Sequence, residues 1–177
     1  MDSSATRVGL VRPARPARLL RRLGAVGVTT AISLAVAVPL TAGGDVDAAY
    51  HPRRRVIAWV NAYRADAGLR PLRISLSVHR AAEFHARDQA AMGLMTHTGS
   101  DGSDAGQRIR RQGYAWSTWG ENVAFGYPTA RAVVRAWMNS AGHRANILNA
   151  SFRHVGVGVQ RGANGLLYWT LDFARPG

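Results

Sequence analysis

Val155 to Phe173 reads VGVGVQRGANGLLYWTLDF. Val155, Val157 and Val159 alternate with Gly156, Gly158 and Gln160, the period of a strand with one buried face. Gly162-Ala163-Asn164-Gly165 follows, and its Asn-Gly pair favours the positive φ angles of a tight turn. Leu166 to Phe173 supplies the return strand. The segment predicts an antiparallel hairpin.

Upstream the period is helical. Val56, Ile57, Val60 and Tyr63 predict a helix over His51 to Ala67, stopped by Gly68. A second helix is expected from Ser75 or Ser77 to Met92, ended by Gly93, with Ala81, Ala82, His85 and Ala86 near one face. Ser103 or Asp104 caps a short basic helix that reaches Gln112. A strand is expected at Asn122 to Phe125. Pro128 opens a third long helix, on which Ala130, Val133, Val134, Trp137, Met138 and Ala141 form an apolar stripe. Gly142 is expected to break it, leaving Arg144 to Leu148 as a short turn or helix. Helices first and strands last predict an α+β fold rather than a parallel α/β one.

The first fifty residues read differently. Arg7, Arg12, Arg15, Arg18, Arg21 and Arg22 precede an uncharged run from Leu23 to Leu40, and Val46-Asp47-Ala48 follows. That order is a tripartite secretory leader, with cleavage expected after Ala48. A membrane anchor is the competing reading, since an 18-residue run is the lower limit for a span. Gly24, Gly27, Thr29, Thr30 and Ser33 dilute the run and favour cleavage. The expected organisation is a leader at 1–48 and one domain at 49–177, with no stable transmembrane segment after cleavage.

The whole chain has 177 residues, 23 basic and 10 acidic, for a net charge of +13. Six of the basic residues, all arginine, and three acids lie in 1–48, which leaves 17 and seven, or +10, for the rest. Charge alone suggests nucleic acid or another polyanion as partner. An exported protein meets wall polymers and lipid headgroups instead, so no nucleic-acid partner is expected. There is no cysteine, which excludes a disulfide scaffold, a thiolate metal site and a cysteine nucleophile.

Histidine is therefore the main candidate for chemistry. His85 sits among alanines and reads as a packed, satisfied side chain; His51 and His79 read as solvated, and His154 carries no distinctive context. His97 and His143 each lie at a helix edge beside glycine and hydroxyl residues, in MTHTG and SAGHR. Glu121, in WGENV, is flanked by apolar residues and is expected to be buried. It either pairs with a histidine or ties down loop amides.

GENVAFG (Gly120 to Gly126), AWMNSAGHRANIL (Ala136 to Leu148), VGVGV (Val155 to Val159) and YWTLDF (Tyr168 to Phe173) together resemble the CAP superfamily, the SCP-like extracellular domain. VNAYRADAGLRPL (Val60 to Leu72), HARDQAAMG (His85 to Gly93), His97-Thr98, Arg108 and Gly113-Tyr114 follow the same pattern in the same order. The absence of cysteine is similar to the bacterial, disulfide-free branch. The resemblance implies an α–β–α sandwich with a small, mostly antiparallel sheet. It implies a cleft in which His97, Glu121 and His143 are the candidate catalytic residues and Ser140, Trp119 and Asn122 line the wall. His97 and His143 are the candidate metal ligands, for Zn²⁺ or another divalent cation, with no cofactor certain. The second glutamate of the family pattern falls on Ser140, three residues after Trp137, which leaves two imidazoles and one carboxylate. A tight zinc site has three or four protein ligands, so this set predicts a weak, hydrated one.

Two functions follow from the resemblance. One is a secreted, monomeric binding module for a lipid, a wall glycan or a protein. The other is a metal-assisted hydrolase or peptidase, which needs a base on the metal-bound water. The lost carboxylate favours the module.

Overall fold

A computed structural model describes residues 46–177. The expected leader lies outside the described residues except for its last three. α1 spans Val46–Asp66 and begins five residues before the expected start. A two-residue strand, β1 (Arg73–Ile74), leads into α2 (Leu76–Met92). α3 (Ala105–Arg111), β2 (Trp116–Phe125), α4 (Ala130–Asn139), α5 (Ala141–Ile147), β3 (His154–Arg161) and β4 (Leu167–Pro176) complete the chain.

The four strands form one sheet in the order β1-β3-β4-β2. β3 and β4 pair antiparallel as the predicted hairpin, with Gln160 opposite Tyr168 and the Gly162 N–H donating to the Leu166 carbonyl at 2.9 Å. β2 pairs antiparallel with β4, and β1 lies parallel to β3. β1 has no signal in the sequence. Its side chains are exposed, so no alternation marks it.

The two faces of the sheet have different packing. Val155, Val157, Leu171 and Phe173 meet Val56 and Val60 of α1, Val133, Val134 and Trp137 of α4, and Ile147 of α5 in the main core. The glycines that alternate with the valines face the other way, toward α2. A Cβ on Gly156 would collide with the backbone at Val78 and His79, and one on Gly158 with that at Ala82. The missing side chains let α2 press directly on β3. The result is α1, α4 and α5 on one face and α2 and α3 on the other, the expected sandwich.

Three further expected boundaries shift. β2 starts at Trp116 rather than Asn122, because Trp116 to Glu121 pair with β4 as far as Pro176. α4 starts at Ala130 rather than at Pro128, because Thr129 is the cap; its Oγ1 accepts the Ala132 N–H at 3.2 Å. The break after α4 is at Ser140, not Gly142. Ser140 is extended (φ −102°, ψ 125°), and its carbonyl accepts the Arg144 N–H at 2.8 Å to begin α5. Gly142 therefore lies inside α5, and the corner at Ser140 places His143 on a new helix.

Candidate functional site

Glu121 is the centre of the site. It lies in the middle of β2 and its side chain is only 2% exposed. Burial opposes its ionisation, but its partners outweigh burial and hold the carboxyl below its ordinary pKa. His97, from the loop after α2, meets Oε1 through Nδ1 at 2.8 Å. Arg108, from α3, donates to Oε2 at 2.6 Å. His85, from α2, lies 3.8 Å from the same oxygen. The sequence left open whether Glu121 pairs with a histidine or holds loop amides. Its side-chain oxygens pair with His97 and Arg108.

Glu121 fixes the tautomer of His97. Nδ1 carries a proton and donates to Oε1, so in the neutral ring the lone pair falls on Nε2, and the ring is half-exposed. Arg108 stiffens the same assembly: its Nη1 donates to the His97 carbonyl at 3.1 Å and to the Ser103 carbonyl at 2.6 Å. His85 is packed, as its alanine context suggested, and donates from Nε2 to the Thr96 carbonyl at 2.8 Å. Burial holds its pKa down, so it is neutral at pH 7.

His143 approaches from the other side. Burial first, and then the charge of His97, push its pKa down. Asn122 is fully buried on the opposite face of β2 and donates to the His143 carbonyl at 3.0 Å. Asn146 donates to Asn122 Oδ1 at 2.9 Å and to the Glu121 carbonyl at 3.2 Å. Two asparagines thus tie the helix that carries His143 to the strand that carries Glu121. Ser140 and His143 border a cavity of about 420 Å³, lined mainly by Met95, Val123, Tyr127, Ala136 and Trp137. Trp119 lies toward α3, with its indole against Gly106 and edge-on to Trp116.

Arg108 and Asp172 belong to the site, and sequence reasoning did not assign them a place in it. Asp172 stands opposite Glu121 in the β2–β4 register and is fully buried. Neither of its oxygens has a hydrogen-bond partner among the described side chains and backbone. Burial first, then the Glu121 charge, push its pKa well above the ordinary carboxylate value, against the pull of Arg108. Asp172 is therefore the neutral member of a buried carboxyl pair. The available signal was an acid inside the apolar strand YWTLDF and an arginine beside Ile109.

A metal would find few protein donors here. His97 Nε2 and a neutral His143 can each offer a lone pair, but both Glu121 oxygens are already engaged. Among the described residues, no group of three or more His, Cys, Asp or Glu is placed to share an ion. Two imidazoles are fewer protein ligands than a tight zinc site has.

The model for the cysteine-rich secretory protein (CAP) family matches residues 57–173. This chain belongs to the CAP family. It is 36% identical over 121 residues to YkwD of Bacillus subtilis, covering 68% of this chain and 46% of that protein. The crystal structure of an extracellular SCP-domain protein from Bacillus anthracis superposes with a TM-score of 0.65 at 27% identity, over 70% of this chain and 40% of that one. An outer surface protein of Borrelia burgdorferi gives the same TM-score of 0.65 at 21% identity, over 70% of this chain and 92% of that one, and shares the fold. The CAP chain spans less than half the length of its curated relative.

Proposed function

We propose that this CAP protein is exported, loses residues 1–48 and acts outside the cell as a binding module. Its cleft at His97, Glu121 and His143 and the adjoining cavity would receive a small extracellular ligand. Ser140, standing in place of the second glutamate, carries this reading. A general base for hydrolysis needs a lone pair aimed at the attacking water. Here one carboxylate oxygen is committed to His97 and the other to a buried guanidinium. Glu121 orients His97, and Ser140 stands where a second carboxylate could serve as base. The extracellular SCP-domain protein of B. anthracis supports the location outside the cell.

His97 and His143 would hold a divalent cation such as Zn²⁺ weakly, and the ion would supply a Lewis-acidic point for a ligand oxygen. The cavity beside them is apolar along Val123, Ala136 and Trp137, which suits a ligand with a hydrocarbon or methyl-bearing portion. Calorimetry with Zn²⁺ tests the site. The expected result is micromolar or weaker binding that His97→Ala and His143→Ala each abolish. Turnover of peptides or esters by the zinc-loaded protein, lost in both His97→Ala and Glu121→Ala, would overturn the module reading in favour of a hydrolase. Mass spectrometry of the protein from the culture medium is expected to give Ala49 as the first residue.

A further inference from the structure

We propose that the outward ridge of α2 is a docking face for an anionic phospholipid bilayer. It stands apart from the cleft and does not depend on what the cleft binds. α2 turns Val78, Ala82, His85 and Gln89 inward. At about 100° per residue, the stripe opposite them holds Leu76, Arg80, Phe84, Arg87 and Ala91. Leu76, Arg80, Phe84, Arg87 and Ala91 are all exposed. Leu76 is 61% and Phe84 51% exposed, with Ile74 (59%) just before the helix and Leu94 (57%) just after it. Two large apolar side chains, Leu76 and Phe84, thus lie on the stripe, with Ile74 and Leu94 exposed beyond its two ends. Exposed apolar residues are ordinary when scattered, but Leu76 and Phe84 share one helix face and alternate along it with Arg80 and Arg87.

Charge selects the partner. The stripe carries no acid. Glu83, at one edge, is engaged by Arg53 at 3.2 Å and by Arg87 at 2.6 Å, and Asp88, at the other, accepts the Ser100 N–H at 2.7 Å. The Arg87 guanidinium lies 5.7 Å from the centre of the Phe84 ring, so cation and apolar surface present together. Arg80 lies between Leu76 and Phe84, and the exposed Arg73 precedes Ile74. A soluble polyanion would use the arginines and leave Leu76, Phe84 and Leu94 in water. An anionic bilayer takes both, with guanidinium groups among the phosphates and apolar side chains below them.

The chain has no cysteine, so one introduced cysteine can carry a single environment-sensitive fluorophore. Ala91→Cys places it on the ridge, and Ala145→Cys places it on α5, across the sheet. Both positions are exposed, as is Phe84, so the variants keep the core intact. The full-length chain is mixed with vesicles of phosphatidylglycerol and phosphatidylcholine, or of phosphatidylcholine alone. The expected result is a blue shift and shielding from an aqueous quencher at position 91, only with the anionic vesicles and not at position 145. Phe84→Ser should abolish the shift, and Arg87→Glu should weaken apparent affinity at least tenfold. A probe at 91 that stays in water while the chain sediments with vesicles overturns the proposal, because residues 1–45 alone would then be the tether. An equal response at 145, or an equal shift at 91 with heparin in place of vesicles, also overturns it.

Discussion

Replacing Asp172 by Asn gives the sharpest test of the buried carboxyl pair. Asp172 and Glu121 face each other across β2 and β4, with one positive partner, Arg108, bonded to Glu121 at 2.6 Å. If Asp172 is the protonated member, an isosteric amide changes little at acid pH, and stability should stay within about 1 kcal/mol of wild type. The pH dependence then separates the two proteins. A carboxyl whose pKa is raised on folding contributes stability that is fully present below its unfolded pKa and is lost as pH rises through the folded one. Where only the unfolded form is ionised, wild type loses about 1.4 kcal/mol per pH unit relative to Asp172→Asn. Glu121 has the opposite sign: its depressed pKa adds stability above the ordinary glutamate value that is lost as pH falls through the folded one. Urea denaturation of both proteins at half-unit steps from about pH 4.5 upward measures the difference. Glu121→Gln leaves the Arg108 guanidinium buried without its carboxylate, a change that costs about 3–5 kcal/mol. Asp172 can ionise to replace the lost charge, so Glu121→Gln should be more damaging when Asp172→Asn is also present. A flat pH difference, or Asp172→Asn as damaging as Glu121→Gln at acid pH, would refute a neutral Asp172.

Further outcomes follow from the packing. Trp137 is 1% exposed in the main core, and Trp137→Ala should cost about 3–5 kcal/mol by chemical denaturation. Gly158→Ala should destabilise by about 1–3 kcal/mol despite its small size, because the new Cβ meets the α2 backbone at Ala82; thermal melts of the two proteins measure it. Asn122→Ala removes a donor to the His143 carbonyl and should cost about 1–3 kcal/mol in urea, while weakening any zinc binding seen by calorimetry. Thr129→Ala removes the α4 cap and should cost about 1 kcal/mol by the same denaturation assay.

The parts of this protein with a local signal are legible in its residues alone. The Val-Gly alternation and the Asn-Gly turn settled the hairpin, because strand period and positive φ are properties of a few neighbouring residues. The stripe from Ala130 to Met138 and the stop at Gly93 settled two helices for the same reason. The ordered motifs pointed to the family, and they singled out Glu121, His97 and His143. What Glu121 does was settled by the packing of distant elements. Arg108 and His85 come from different helices, and Asp172 reaches it only through strand register, which pairs Glu121 with a residue far along the chain. The same limit explains the misplaced break after α4. Glycine is the stronger local stop, but Ser140 turns the chain because α5 must dock on β2 through Asn146 and Asn122. A carboxylate among apolar residues signals burial in any sequence. Which cation or proton balances it depends on which side chains the fold brings within about 4 Å.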